Sequence, residues 1–144
     1  IEQYPITQSD MLQAASLFAG ADPGLLDCWR QLAVPLDGGT RHVWEPYAGV
    51  SVELCVGPAQ DWLPQLDFKA DVWYLDGFSP ACNPAMWQLE LLQQVTRLSK
   101  PGARCSSFTA AGWVRRALAD CGWTVKRRPG FGRKRHMTVG QLAG

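Results

Sequence analysis

Residues 71–87 read Asp-Val-Trp-Tyr-Leu-Asp-Gly-Phe-Ser-Pro-Ala-Cys-Asn-Pro-Ala-Met-Trp. The apolar run at 72–75 is too short for a helix and rich in β-branched and aromatic residues, so it predicts a strand that is buried on both faces. Asp76 comes where this strand ends. A loop follows, and Asn83 as N-cap with Pro84 at the first helical position predicts the start of a helix. A carboxylate between a strand and a helix is typical of the edge at which open α/β sheets bind ligands.

Asp76 and Phe78 are the side chains of this loop with candidate chemistry. A carboxylate at a strand end can orient a ligand, or it can cap loop amides in a purely structural role. Phe78 stands among small, turn-forming residues, where an aromatic ring can stack on a flat ligand or plug the loop onto the core. The sequence leaves both alternatives open for both residues.

The basic residues are concentrated in the last third of the chain. Although the net charge is only +1, residues 1–96 contain three basic and twelve acidic side chains, whereas residues 97–144 contain eleven basic and one acidic. This asymmetry predicts a C-terminal surface that meets a polyanion. The alternative is an edge hairpin that carries charges only for solubility.

The composition is typical of a globular protein. The 144 residues allow one domain, and 47% of them are hydrophobic and 19% charged. No apolar run approaches the roughly 18 residues of a membrane-spanning helix, and no signal peptide is visible. The five cysteines lack the close spacing of zinc or redox sites. We therefore expect reduced thiols, no metal and a cytoplasmic location.

The hydrophobic periodicity predicts alternating strands and helices. We expect a helix from Thr7 or Ser9 to residue 18, a short helix at 23–32, strands at 41–44 and 50–56, a helix at 84–99, a strand at 105–108, a helix that buries Val114, Leu118 and Cys121, and a terminal hairpin of 123–128 with 137–139. The sequence Lys100-Pro101-Gly102 should end the helix at 84–99. The strand at 105–108 should then lie parallel to the strand at 72–75.

Three ordered blocks of sequence carry a family resemblance. They are residues 76–87, residues 107–116 (Ser-Phe-Thr-Ala-Ala-Gly-Trp-Val-Arg-Arg), and residues 126–137, which include Gly-Phe-Gly-Arg-Lys-Arg at 130–135. From Glu2 to about Met137 the chain resembles the methyltransferase domain of the MnmC family, bacterial proteins that modify the wobble uridine of tRNA. The resemblance implies an S-adenosylmethionine-dependent tRNA methyltransferase.

The resemblance also implies an α/β, Rossmann-like class I methyltransferase fold. No Gly-x-Gly turn precedes a helix, and residues 1–5 resemble the end of a second strand. We therefore expect residues 1–144 to form a single partial domain that lacks the first strand and its Gly-rich turn. It would comprise the back part of a doubly wound sheet and a C-terminal antiparallel hairpin.

Three residues are assigned to the cofactor by the resemblance: Glu2, Gly57 and Asp76. Glu2 matches the acidic residue that accepts hydrogen bonds from the ribose hydroxyls, although in isolation it would be an ordinary N-terminal glutamate. Pro58 stands where the family has an Asp that accepts the adenine amino group. Proline cannot make that contact, so adenine recognition is open or falls to a neighbour such as Gln60 or Asp61.

The implied reaction is N-methylation of 5-aminomethyl-2-thiouridine to 5-methylaminomethyl-2-thiouridine. Asp76 and Phe78 would be the catalytic residues, with Asp76 on the amine and Phe78 on the flipped base. Eight basic residues would hold the anticodon arm of the tRNA: Arg115, Arg116, Lys126, Arg127, Arg128, Arg133, Lys134 and Arg135. FAD is expected only if a flavin-dependent oxidase domain follows in the parent protein, and the oligomeric state is left open.

The sequence also allows three other classes of function to be compared: a hydrolase, a non-catalytic RNA-binding domain and a protein-binding scaffold. Residues 77–81 loosely match a hydrolase nucleophile elbow, but Pro80 has no N–H for an oxyanion, and His42 and His136 are the only candidate bases. A non-catalytic RNA-binding domain that has lost its cofactor would retain the basic hairpin. A scaffold that binds an acidic protein partner would show no preference for tRNA.

Overall fold

The computed structural model describes residues 1–7, 9–10, 13–14, 38–132 and 134–144. These residues belong to two compact units, Ile1–Trp62 and Leu63–Gly144. The single domain expected from the sequence stays a prediction.

The first unit contains an antiparallel hairpin of β1 (Arg41–Tyr47) and β2 (Val50–Cys55). Both strands were predicted, and Gly49 turns between them with its N–H donating to the Glu45 carboxylate at 2.7 Å. Directly after β2, Val56 forms a parallel bridge with Glu2. A short helix, α1 (Ala59–Trp62), follows.

The predicted N-terminal helix is described only in part. Residues 9–10 and 13–14 are helical. The Thr7 hydroxyl accepts the N–H of Asp10 at 3.2 Å and donates to its carboxylate at 2.7 Å, which is the behaviour of an N-cap. The remainder of that helix and the helix predicted at 23–32 lie outside the described residues.

The second unit is built on a four-stranded sheet. Its strands are β3 (Ala70–Tyr74), β4 (Ser99–Ser107), β5 (Trp123–Pro129) and β6 (His136–Leu142), in the spatial order β3-β4-β6-β5. Strands β3 and β4 are parallel, and β6 is antiparallel to both β4 and β5. The predicted parallel pair and terminal hairpin are therefore confirmed. The carboxyl ends of β3 and β4 meet at one edge of the sheet.

The helix predicted at 84–99 is wrong in its extent. The chain forms a 3-10 turn at Pro84–Trp87, then α2 at Leu89–Arg97, because Gln88 between them is extended, with ψ of 155°. Pro84 opens the turn as predicted, although the Asn83 side chain makes no capping hydrogen bond. Ser99 already belongs to β4.

Among the described residues, no helix has the length and apolarity needed to cross a bilayer.

Lys100-Pro101-Gly102, which was expected to end the preceding helix, lies inside β4 as an irregularity. The pairing with β3 passes from Ala70 opposite Ser99 to Val72 opposite Arg104. The intervening residues of β4 therefore bulge out of the ladder, and regular pairing begins at Arg104. Proline and glycine interrupt the strand here without ending it.

The core lies between one face of the sheet and two helices, α2 and α3 (Gly112–Asp120). Trp123 of β5 is 2% exposed and its indole N–H donates to the Thr96 hydroxyl of α2 at 2.8 Å. Cys121, which was predicted to be buried, lies just after α3 and is only half-buried. The other residues of the predicted apolar stripes are buried: Trp87, Leu91, Leu92, Val95, Leu98, Val114 and Leu118. Burying such side chains is the main stabilising contribution to the unit.

The prediction that β3 is buried on both faces is wrong, because the face of the sheet opposite the core is exposed. Val72 is 50% exposed and Tyr74 is 82% exposed. Both helices that cover the sheet in the described part of the chain pack on the other face. With Arg104, Lys126 and Arg128, these residues border a shallow depression of about 520 Å³.

Candidate functional site

Asp76 lies two residues beyond the end of β3, at the sheet edge where β4 also ends. Its Oδ1 accepts the N–H of Gly77 at 2.8 Å, and the residue is exposed. Gly77 is the only donor to this carboxylate among the described residues. The carboxylate thus caps one loop amide and keeps Oδ2 available to a ligand, so both roles considered for Asp76 are compatible with the geometry.

The loop after Asp76 is anchored through its backbone. The indole N–H of Trp87, which is 2% exposed, donates to the main-chain carbonyl of Phe78 at 3.1 Å. The ring of Phe78 is 62% exposed. Phe78 therefore does not plug the loop onto the core, and its ring is accessible to a flat ligand.

A cavity of about 240 Å³ opens beside Asp76. Asp76 comes from the end of β3, Phe108 follows β4, and Phe131, Lys134 and Met137 come from the β5–β6 hairpin. Phe78 is not among its lining residues. With Tyr74 of β3, which also lines the cavity, one carboxylate, one ammonium group and three aromatic residues therefore surround a space at the edge of the sheet.

Lys134 and Phe108 contact each other within this cavity. The ammonium nitrogen of Lys134 lies 5.1 Å from the centroid of the Phe108 ring, a cation–π distance. Trp87 meets the same ring in a T-shaped arrangement, with centroids 6.4 Å apart and planes at 84°. The contacts of Phe108 thus extend from the buried Trp87 to the basic hairpin.

The other residues assigned to tRNA occupy different places. Lys126 and Arg128 border the depression on the exposed face of the sheet. Arg127, between them in β5, lies on the opposite face of the strand. Arg135 accepts the N–H of Gly130 through its carbonyl at 3.1 Å, and Arg133 lies outside the described residues.

Arg115 and Arg116 are the fourth and fifth residues of α3 and do not line the cavity beside Asp76. The Nε atom of Arg115 is buried, and within the described ranges it has no hydrogen-bond partner. An unpaired buried donor on a cation is costly, which makes Arg115 a candidate for binding a ligand acceptor.

In the first unit, Glu2 and Gly57 are brought together. The N–H of Gly57 donates to the carbonyl of Glu2 at 2.9 Å, and the N–H of Glu2 donates to the carbonyl of Cys55 at 3.0 Å. The exposed Glu2 carboxylate accepts the N–H of Tyr4 through Oε1 at 2.8 Å. Glu2 and Gly57 thus lie at the ends of two neighbouring parallel segments.

The backbone at Gly57 requires glycine. Its φ is +142°, and a Cβ would lie 2.9 Å from the Trp62 indole nitrogen, which donates to the carbonyl of Val56 at 3.0 Å. An exposed carboxylate next to a side-chain-free strand end fits a ribose diol. Pro58 contributes no side-chain hydrogen-bond acceptor here.

Sequence analysis missed Phe108 and Phe131 as site residues, although both lie in the blocks that carry the resemblance. Phe108 follows the strand that pairs in parallel with β3, so its position at the same edge as Asp76 could have been inferred. The place of Phe131 depends on how the hairpin folds back, for which the sequence contains no local signal.

Comparisons with known proteins show the family of the chain. A family model described as an S-adenosyl-L-methionine-dependent methyltransferase matches residues 29–143. The "tRNA 5-methylaminomethyl-2-thiouridine biosynthesis bifunctional protein MnmC" of Chromobacterium violaceum is 44% identical over 144 residues, covering 99% of this chain and 21% of that protein. The protein of the same name from Pseudomonas fluorescens is 39% identical over 147 residues, covering 100% of this chain and 22% of its own length.

A solved structure is also similar. The crystal structure of MnmC2 from Aquifex aeolicus aligns with a TM-score of 0.57 and 28% identity, over 62% of this chain and 29% of that one. The chain spans about a fifth of the length of the curated relatives it matches. The Rossmann-like α/β class predicted from the sequence is confirmed. By sequence and fold, the chain belongs to the S-adenosyl-L-methionine-dependent methyltransferase family.

Proposed function

We propose that this chain N-methylates the aminomethyl group of 5-aminomethyl-2-thiouridine in tRNA, which gives 5-methylaminomethyl-2-thiouridine. The observation that carries the proposal is the Asp76 carboxylate beside a cavity lined by aromatic rings and Lys134. Family membership supplies the reaction class, and the names of the relatives supply the substrate. Action on tRNA implies a cytoplasmic location.

Asp76 would act on the amine that is methylated. An aminomethyl nitrogen resembles a lysine amine in basicity, so it is largely protonated near neutral pH and must lose a proton before its lone pair can attack. Oδ2 of Asp76 would accept that N–H and hold or take up the proton, while Oδ1 stays on the Gly77 amide. S-adenosylmethionine supplies an electrophilic methyl group. Most of the acceleration would come from holding the amine in line with that group.

The exposed ring of Phe78 would stack on the modified uracil after it leaves the anticodon stack. Its carbonyl is held by Trp87, so the ring starts from an anchored backbone. A pre-positioned ring loses little conformational freedom on binding, which favours stacking.

Glu2, Gly57 and Asp76 would contribute to binding the cofactor. The Glu2 carboxylate would accept hydrogen bonds from the ribose hydroxyls, and the bare backbone at Gly57 would admit the nucleoside. Because Pro58 offers no acceptor side chain, Gln60 or Asp61, both exposed in α1, would receive the adenine amino group.

The basic residues of the second unit would bind the anticodon arm through its phosphates. Lys126, Arg128 and Lys134 are exposed on or near the hairpin, and Arg115 and Arg116 open α3. Such contacts position RNA without reading its sequence. Recognition of the modified base is therefore left to the Asp76 edge.

The decisive experiment measures methyl transfer from labelled S-adenosylmethionine to tRNA that bears 5-aminomethyl-2-thiouridine, using the full-length protein. Asp76→Asn keeps the acceptor for the Gly77 amide but removes the charge, and it should lower the rate roughly 10²- to 10⁴-fold. Asp71→Asn is the matched control, because Asp71 is an exposed carboxylate at the start of the same strand, paired with Lys100 at 2.8 Å. An Asp76→Asn protein as fast as wild type would refute the proposed role.

One observation favours a second candidate function, a non-catalytic RNA-binding domain. Pro58 follows Gly57 where an acceptor for adenine is expected in the family, while the basic hairpin is retained. This alternative predicts RNA binding that weakens steeply with salt, no retention of S-adenosylmethionine and no transfer of label. Equilibrium dialysis with labelled cofactor separates the two functions.

A further inference from the structure

Phe131 is the most exposed large hydrophobic side chain in the described part of the chain. It lies between Pro129, the last residue of β5, and His136, the first of β6, and it is 95% exposed. Folding gains nothing from an aromatic ring left in water. The ring is therefore available to a partner, and its surroundings decide which partner it suits.

The turn that carries Phe131 is ordered by its own backbone. The N–H of Gly130 donates to the carbonyl of Arg135 at 3.1 Å, and the N–H of Lys134 donates to the carbonyl of Phe131 at 3.2 Å. A Cβ at Gly130 would clash with the carbonyl of Lys134, so glycine is required for the close approach. The ring therefore projects from a closed turn, which lowers the entropic cost of stacking.

Phe131 differs from Phe108, the other phenylalanine that borders the cavity. The Phe108 ring already contacts Lys134 and Trp87. Among the described residues no ring or cation packs on Phe131. Phe131 thus presents an unoccupied aromatic surface at the mouth of the cavity beside Asp76.

The charge around Phe131 selects the partner. Residues 123–142 contain six basic side chains and no acidic one. The ligand that suits an exposed ring among cations is a polyanion with flat apolar faces, and single-stranded RNA has both properties. A neutral peptide or an acidic protein lacks this combination.

We propose that Phe131 stacks on an unpaired nucleobase of the RNA, next to the base that enters the Asp76 cavity. This inference rests on the proposed function, because it takes the RNA from there. The ring borders the cavity yet projects outward, so the base it meets flanks the modified uridine. The neighbouring cations hold the phosphates on either side of that base.

The test uses the full-length protein and an anticodon stem-loop RNA with 2-aminopurine directly 3′ of the wobble position. Wild type should quench the fluorescence on binding. Phe131→Ala and Phe131→Leu should abolish the quenching and weaken binding roughly 5- to 150-fold, whereas Phe131→Tyr should retain both. The slope of log affinity against log salt should not change in Phe131→Ala, because no phosphate contact is removed.

Phe68→Leu is the matched control, since it replaces another exposed phenylalanine, at the amino end of β3 and away from the hairpin. It should bind and quench as wild type does. Circular dichroism of all variants checks that the fold is intact.

The outcomes separate this inference from the proposed function. If Phe131→Leu binds and quenches as wild type while methyl transfer is normal, the stacking proposal is overturned and the function stands. If quenching depends on Phe131 in a protein that transfers no methyl group, stacking stands and the function fails. If Phe131→Leu weakens binding only to vesicles of equal phosphatidylglycerol and phosphatidylcholine, the partner is a membrane and the proposal is overturned.

Discussion

The hydroxyl of Thr138 in β6 donates a hydrogen bond to the main-chain carbonyl of Thr109, 2.6 Å away, and both residues are buried. This bond joins the terminal hairpin to the loop that follows β4. The hydroxyl of Ser107, the last residue of β4, accepts the N–H of Thr109 at 3.2 Å, and within the loop the Thr109 hydroxyl accepts the N–H of Ala111 at 3.3 Å. The two sides of the Asp76 cavity that carry Phe108 and Lys134 are thus linked through buried polar contacts.

Thr138→Val should therefore destabilise the protein by about 1–3 kcal/mol, because it leaves the Thr109 carbonyl buried without its donor. Thr138→Ser keeps the hydroxyl and should cost only about 0.8 kcal/mol for the missing methyl group. Urea denaturation measures both. A Thr138→Val protein as stable as wild type would show that the hydrogen bond to Thr109 does not contribute to stability.

Glu2→Gln should weaken binding of S-adenosylmethionine by roughly 10- to 150-fold, since a hydrogen bond to a charged group contributes about 1.5–3 kcal/mol. Affinity for RNA should stay unchanged. Glu53→Gln in β2 is the control, because Glu53 is a second carboxylate of the same unit and pairs with Arg41 at 2.7 Å. Isothermal titration calorimetry gives both constants. Undiminished cofactor binding in Glu2→Gln would remove Glu2 from the cofactor site.

Replacing Lys126 and Arg128 together by Gln should reduce the salt dependence of RNA binding. Removing one cation that neutralises a phosphate lowers the slope of log affinity against log salt by about 0.7–0.9, so the slope of the double variant should fall by about 1.5. Lys69→Gln is the control, because Lys69 lies just before β3 and outside the basic hairpin. It should leave the slope unchanged. A double variant with the wild-type slope would favour the alternative in which these charges serve only solubility.

Local patterns sufficed for much of the fold. Asp76 at a strand end, Pro84 at the start of a turn and the buried face of α3 all follow from residues close to one another in sequence. The break at Gln88 was missed because neither glycine nor proline marks it. The exposure of Val72 and Tyr74 was missed because burial depends on which elements cover a sheet, and a run of apolar residues does not specify them.

The candidate site could likewise be predicted from the sequence only in part. The resemblance pointed to Glu2, Gly57 and Asp76, and the structure brings Glu2 to Gly57 by a backbone hydrogen bond. The contact between Lys134 and Phe108 joins residues far apart in sequence, and it arises only when β6 inserts between β4 and β5. Such a contact is a property of the topology, which periodicity alone does not reveal.

Alkaline pH should destabilise the protein through Cys105 in β4. Burial of this residue, which is 4% exposed, raises the pKa of its thiol from 9.0 to about 11, although a hydrogen bond with the Gly140 backbone offsets part of the effect. Below pH 9.0 the thiol is protonated in both the folded and the unfolded chain, and its full contribution is present. Between pH 9.0 and about 11 the unfolded chain loses the proton first, so stability falls.

The decrease in stability should reach about 3 kcal/mol, the equivalent of a two-unit difference in pKa. Urea denaturation under reducing conditions, repeated across this range, measures it. Cys105→Ala should remove this component of the decline, whereas Cys82→Ala should retain it, because the Cys82 side chain is exposed. Lysines and tyrosines also titrate in this range, but they are common to all three proteins. Their effect therefore cancels when the slopes of stability against pH are compared. If the wild-type and Cys105→Ala curves run parallel, the thiolate of Cys105 is accommodated in the folded state and burial does not hold its proton.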